Sequence, residues 1–119
     1  MPTPSDKLLK AVKYFREVLN NAQPPLQHLE MFLTVAEEDG LTQIQLQDRL
    51  DSLQGTTSRN VAKLSVRLVA DPNNPGRKVL SGPDLLETRP AREAKQTGVY
   101  LSKHGKEVLA EIQKILGGL

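Results

Sequence analysis

Nothing in this chain limits its fold more than the stretch from Leu41 to Leu68, where two short apolar-periodic segments are separated by a few turn-forming residues. In Leu41-Thr42-Gln43-Ile44-Gln45-Leu46-Gln47-Asp48-Arg49-Leu50, Thr42 can cap a helix whose inner face is Ile44, Leu46 or Gln47, and Leu50. Asp51 to Gly55 has turn composition, and Thr56 or Thr57 can cap another helix carrying Val61, Leu64, Val66 and Leu68. The result is two short helices joined by a tight turn.

Helical periodicity also flanks this pair. Ser5-Asp6 is a helix-start signal, and Leu8, Leu9, Val12, Phe15, Val18 and Leu19 predict a first helix from Ser5 to Asn21. Pro24 and Pro25 preset a second, stopped at Gly40, whose buried set is Leu26, Leu29, Phe32, Leu33 and Val35 or Ala36. After Ala70, Asp71-Pro72-Asn73-Asn74-Pro75-Gly76 reads as a loop, because two prolines lack amide donors and Asn and Gly favour turns. Arg77 to Leu80 can form a short extended piece, and Ser81-Gly82-Pro83 a further turn. Leu85 to Arg89 and Thr97 to Leu101 then read as two strands of a hairpin with a basic tip. Ser102 caps a last helix with a stripe of Val108, Leu109, Ile112, Ile115 and Leu116, stopped by Gly117 and Gly118. The predicted class is mainly α with a small β-hairpin, in one domain over 1–119.

Composition narrows the function. Without cysteine there are no disulfides, thiolate catalysis or most structural zinc sites, which suits a reducing cytoplasm. No apolar run approaches the ~20 residues of a spanning helix, and Met1-Pro2-Thr3-Pro4 lacks the features of a signal peptide, so no membrane partner is expected. His28 and His104 make no metal-ligand or triad spacing, Glu37-Glu38-Asp39 reads as a solvated helix end, and no glycine-rich phosphate loop occurs. An enzyme, a metal site and a cofactor are therefore not expected. The charge is uneven: residues 59–103 hold nine basic and four acidic side chains, net +5, while the remainder carries −3. One face meeting phosphates would produce this asymmetry, as would a chance cluster of solvated Lys and Arg.

A helix-turn-helix followed by a hairpin and a capped helix is the winged helix-turn-helix arrangement. The residues resemble the multiple antibiotic resistance regulator (MarR) family in Leu41 to Leu50, in Thr57 to Leu68, in Leu85-Leu86-Glu87-Thr88-Arg89-Pro90, and in Leu101-Ser102-Lys103-His104-Gly105-Lys106. The resemblance implies a homodimer whose first and last helices intertwine and whose two recognition helices enter successive major grooves of double-stranded DNA. Three departures accompany it. Glu93-Ala94-Lys95 stands where the family's wing carries Asp-x-Arg, the segment from Asp71 to Asp84 is longer than the usual link, and one C-terminal helix replaces the common two.

A recognition helix presents donors and acceptors on its exposed face, and Thr56, Thr57, Ser58, Arg59, Asn60 and Lys63 fit that description. Arg59 suits paired hydrogen bonds to guanine and Asn60 to adenine, while Thr56, Thr57 and Ser58 suit phosphates near the helix N-terminus. The plain alternative is that the hydroxyls only cap the helix and Arg59 and Lys63 are solvated. Arg89, Arg92 and Lys95 fall on or beside the hairpin tip, as minor-groove contacts or as solubilising charges. Leu8, Leu9, Val12, Phe15, Ile112, Ile115 and Leu116, in helices 5–21 and 102–116, form faces for a two-fold dimer or for packing of one helix on the other. The expected function is a cytoplasmic, dimeric transcription regulator, a repressor reading a two-fold operator, with any small-molecule effector left open. The alternatives are a winged-helix module that binds transcription or replication proteins without DNA, and an architectural DNA binder without sequence preference.

Overall fold

The first helix, α1 (Pro4–Leu19), starts one turn-defining residue before the expected Ser5, because Thr3 makes the better cap. Its hydroxyl accepts from the Asp6 amide while the Asp6 carboxylate accepts from the Thr3 amide, a reciprocal pair that satisfies two otherwise orphaned donors. The computed structural model describes residues 3–91 and 96–117. It continues with α2 (Leu26–Glu37), β1 (Leu41–Thr42), α3 (Gln43–Leu50) and α4 (Gln54–Leu64). Then come β2 (Arg67–Asp71), β3 (Asn74–Ser81), β4 (Leu86–Pro90), β5 (Thr97–Leu101) and α5 (Lys103–Leu116). The architecture is thus a mixed α/β one, with five helices and two small antiparallel sheets among the described residues.

The first sheet has the order β1-β5-β4, with Leu41 opposite Val99 on one side of β5 and Glu87 opposite Tyr100 on the other. Its Leu86, Val99 and Leu101 join Phe15 of α1, Phe32 and Val35 of α2, Leu46 of α3, Leu64 of α4 and Val108 of α5 in one core. The rings of Phe15 and Phe32 meet at 5.4 Å between centroids with a 60° tilt, an edge-on geometry favoured by aromatic quadrupoles. The α1 and α5 helices pack on each other, and Phe15 and Ile112 are buried there. Intramolecular packing thereby takes two of the residues expected to face a second copy.

Three helix faces differ from expectation: on α3, Ile44, expected on the inner face, is 65% exposed while Leu46 is buried. On α2 the buried set is His28, Met31, Phe32 and Val35, while Leu26 and Leu33 are exposed. That set has the i, i+3, i+4, i+7 spacing of a buried stripe, and counting His28 as polar rotates the expected stripe off it. The α4 helix begins at Gln54, a turn before the expected caps, with Leu53 at its N-cap and Thr56 and Thr57 inside the helix. It ends at Leu64, so Val66 and Leu68 leave the helix and Leu68 belongs to β2.

The expected loop after Ala70 is instead the turn of a second hairpin. In it β2 pairs with β3 through Leu68 and Leu80, Val69 and Val79, and Ala70 and Lys78. The Asp71 carboxylate accepts from the Asn73 amide, which closes the turn at Pro72-Asn73. The two ends of the hairpin meet at Ser65 and Gly82. Gly82 has φ +125°, and a Cβ there would strike the Ser65 carbonyl.

The chain then locks onto the start of α5. Leu85 donates its amide to Leu64 O at 2.8 Å, and Ser102 donates its amide to Leu85 O at 3.0 Å. The Ser102 hydroxyl donates to Asp84 O and accepts from the Gly105 amide, while His104 Nδ1 donates to Pro83 O at 2.9 Å. Gly105 lies so close to Leu85 that a Cβ would collide with the Leu85 carbonyl. The Leu101-Ser102-Lys103-His104-Gly105 run therefore fastens α5 to the end of α4. No described helix is long and apolar enough to cross a membrane.

Candidate nucleic-acid interface

Burial divides α4 into two sides. Thr57, Asn60, Val61 and Leu64 face the core, whereas Gly55, Ser58, Arg59, Ala62 and Lys63 face solvent. The outward stripe follows helical spacing and places Arg59 and Lys63 one turn apart, with Gly55, Ser58 and Ala62 beside them and Gln54 exposed at the start of the helix. Neither cation enters an ion pair among the described residues. The helix starts without a side-chain cap, which leaves its first amides open to an external acceptor.

The inward side corrects two of the expected contacts. Thr57 is 1% exposed and Asn60 9%, so neither side chain can reach a base edge. The Thr57 hydroxyl donates to Leu53 O at 3.0 Å, and its oxygen lies 2.6 Å from Ser52 Oγ, which ties the α3–α4 turn together. Asn60 Oδ1 accepts from His28 Nε2 at 3.2 Å. Burial lowers the His28 pKa below its ordinary 6.5, and the Lys63 charge pushes the same way against the Asn60 hydrogen bond. Thr56 is half-buried, so Ser58, Arg59 and Lys63 are the expected contacts that stand free on this helix.

Behind the α3–α4 turn, a cleft of about 270 Å³ is bordered by Gln27, Glu30, Asp51, Thr56 and Asn60, with no aromatic side chain in its lining. Arg49 of α3 forms a two-point contact with Glu38 at 2.9 and 3.2 Å.

The β4–β5 hairpin presents a further cation. The Arg89 guanidinium lies 3.9 Å from the centre of the Tyr100 ring, and its Nε is 3.7 Å from Glu87 Oε1. Tyr100 is itself held by donating its hydroxyl to Pro90 O at 3.0 Å. Stacking on Tyr100 and the Glu87 carboxylate thus hold the guanidinium of a side chain that is still 49% exposed. The sequence reading sought an acid-x-cation pair at Glu93-Ala94-Lys95 and missed Glu87-Thr88-Arg89 six residues earlier. The signal was present: in a strand, Glu87 and Arg89 share a face, and Tyr100 lies opposite Glu87. Arg92 and Lys95 lie outside the described residues.

Among the residues expected to face a second copy, Leu8 and Leu9 remain exposed, at 56% and 52%. Val12, Ile115 and Leu116 are half-buried.

No protein-family model matches the chain, and no curated protein does. A solved structure described as a probable transcriptional regulator from Pseudomonas aeruginosa is similar to it at 17% identity. The match covers 97% of this chain and 80% of that one, with a TM-score of 0.41. The functional case therefore rests on the chain's own residues.

Proposed function

We propose that this chain is a winged helix-turn-helix protein of the MarR kind that binds double-stranded DNA and regulates transcription. The observation that carries the proposal is the outward side of α4, where Ser58, Arg59 and Lys63 are exposed beside Gly55 and Ala62, and neither Arg59 nor Lys63 has an ion-pair partner among the described residues. Gly55 and Ala62 add little bulk, so the helix backbone can sit deep in a major groove. In this geometry Arg59 reads a base edge, Lys63 meets phosphate, and the uncapped start of α4 receives a second phosphate. Asn60 is not a reader, and Thr57 is a structural hydroxyl.

The β1-β5-β4 sheet supports the same assignment, because it sets the β4–β5 hairpin beyond α4 in the chain order of a winged helix. Arg89, on its Tyr100 platform, is the DNA-backbone contact near the turn end of that hairpin. Arg92 and Lys95 lie outside the described residues and are proposed as contacts on their charge alone.

The protein acts as a two-fold dimer in this proposal, joined through Leu8 and Leu9 of α1 with Val12, Ile115 and Leu116 beside them. Two copies then present two α4 helices to successive major grooves, and a compact dimer represses by occupying its operator. Selection of binding sites from a random duplex pool, followed by sedimentation of the bound complex, tests both parts. Enrichment of a two-fold sequence bound by two chains is expected. Recovery of no sequence above background, together with no binding at low salt, rejects it.

A further inference from the structure

The β2–β3 hairpin touches little besides itself. Its paired leucines are 63% (Leu68) and 71% (Leu80) exposed. With it, the radius of gyration is 15.5 Å, against about 13.5 Å for a compact chain of this length. A lone two-stranded ribbon is marginal in water. The Leu68–Leu80 and Val69–Val79 pairs, on opposite faces, account for its register, since cross-strand apolar pairs contribute roughly 0.2–1 kcal/mol each. That assigns the apolar residues to holding the ribbon together and leaves its charge unexplained. Arg67, Arg77 and Lys78 are all exposed, Asp71 is the sole acid from 65 to 82, and none of these four enters an ion pair among the described residues.

We infer that this hairpin is a second DNA-contacting arm, a basic ribbon that lies along the phosphates beside the duplex segment held by α4. The inference rests on α4 being the groove-reading helix. Three observations favour DNA as the occupant. The arm carries net charge +2 and so complements a polyanion. Arg67 follows the last residue of α4 by three positions, which makes the arm continuous with the proposed interface. An antiparallel ribbon is also one of the two shapes that a DNA groove admits. Five paired residues span about 17 Å, enough to follow the backbone for about five base pairs. Because the hairpin leaves and returns at Ser65 and Gly82, it adds this contact without rearranging the core.

The test is a salt titration of binding to a duplex selected with the unmodified chain. Three proteins are compared: wild type, the Arg67→Ala/Arg77→Ala/Lys78→Ala triple variant, and a chain in which residues 68–80 are replaced by Asn-Gly. Circular dichroism reports that each remains folded. The triple variant is expected to bind at least tenfold more weakly at moderate salt. Its plot of log affinity against log salt should flatten by about 2 to 3 units, with the preference for selected over random duplex retained. The shortened chain should behave alike and protect a shorter stretch of DNA from cleavage.

A wild-type slope in both variants overturns the arm while leaving the α4 proposal intact. Conversion of a dimer to a monomer by the shortening, at unchanged slope per chain, also overturns it and identifies a second copy as the occupant. Absence of DNA binding by the wild type removes both proposals together.

Discussion

His28 Nε2 lies 3.2 Å from Asn60 Oδ1, and this bond between α2 and α4 fixes which side of α4 the core receives. Replacing Asn60 by Ala strands the buried imidazole nitrogen. The expected loss is about 1–3 kcal/mol in urea unfolding, with the affinity ratio between selected and random duplex unchanged. A lost ratio at unchanged stability would mean that Asn60 faces the bases after all.

The same pair makes stability depend on pH. Burial holds His28 below its ordinary 6.5 in the folded protein, so the unfolded chain binds the proton more readily. The contribution is fully present above about 6.5 and is lost as pH falls from there through the lowered folded value. Urea midpoints measured between pH 8 and 5 should therefore decline on the acid side, and His28→Gln should shrink that decline. An equal decline in both proteins would assign it to other groups.

Gly105 should tolerate no side chain, because its Cβ position is occupied by the Leu85 carbonyl. Gly105→Ala is expected to cost about 1–3 kcal/mol through overpacking at the α5 N-terminus. Gly55→Ala provides the control, since nothing lies within 4 Å of its Cβ position and Ala favours a helix. Thermal unfolding should show the first variant destabilised and the second equal to wild type or better. Equal midpoints for Gly105→Ala and wild type would contradict the close packing.

Arg89 and Tyr100 should act as a unit. Arg89→Ala is expected to weaken binding to all duplexes alike and to flatten the salt dependence by about one unit. Tyr100→Leu removes the stacking face and the Pro90 hydrogen bond while keeping an apolar side chain. It should reproduce part of the Arg89→Ala effect and add little to it in the double variant, as anisotropy titrations would reveal. Additive losses would show that Tyr100 acts through the fold alone.

Legibility in the sequence followed how local the determining physics was. The strands expected at Leu85–Arg89 and Thr97–Leu101, and the Thr42 and Ser102 caps, depend on adjacent residues, and the structure has them within a residue. The β2–β3 hairpin was not legible, because Leu68 continued the apolar spacing of α4 while its partner Leu80 lay beyond two prolines. Only pairing across that turn makes both residues extended. Asn60 shares a helical face with Thr57, Val61 and Leu64, so spacing alone turns it inward, and choosing it as a base reader by its side-chain chemistry overlooked that stripe. What spacing does not reveal is its hydrogen-bond partner, His28, 32 positions earlier. The six α4 residues chosen from sequence were taken together as polar side chains, and burial in the structure separates Ser58, Arg59 and Lys63 from Thr57 and Asn60.

Arg59 is where sequence preference should reside. Affinities of wild type and Arg59→Ala for a selected duplex and for random duplex, each titrated with salt, separate reading from charge. The expected outcome is a loss of about 1–3 kcal/mol on the selected duplex, at most a small loss on random duplex, and an unchanged fold by circular dichroism. Equal weakening on both duplexes would contradict the assignment of α4 as the reading helix.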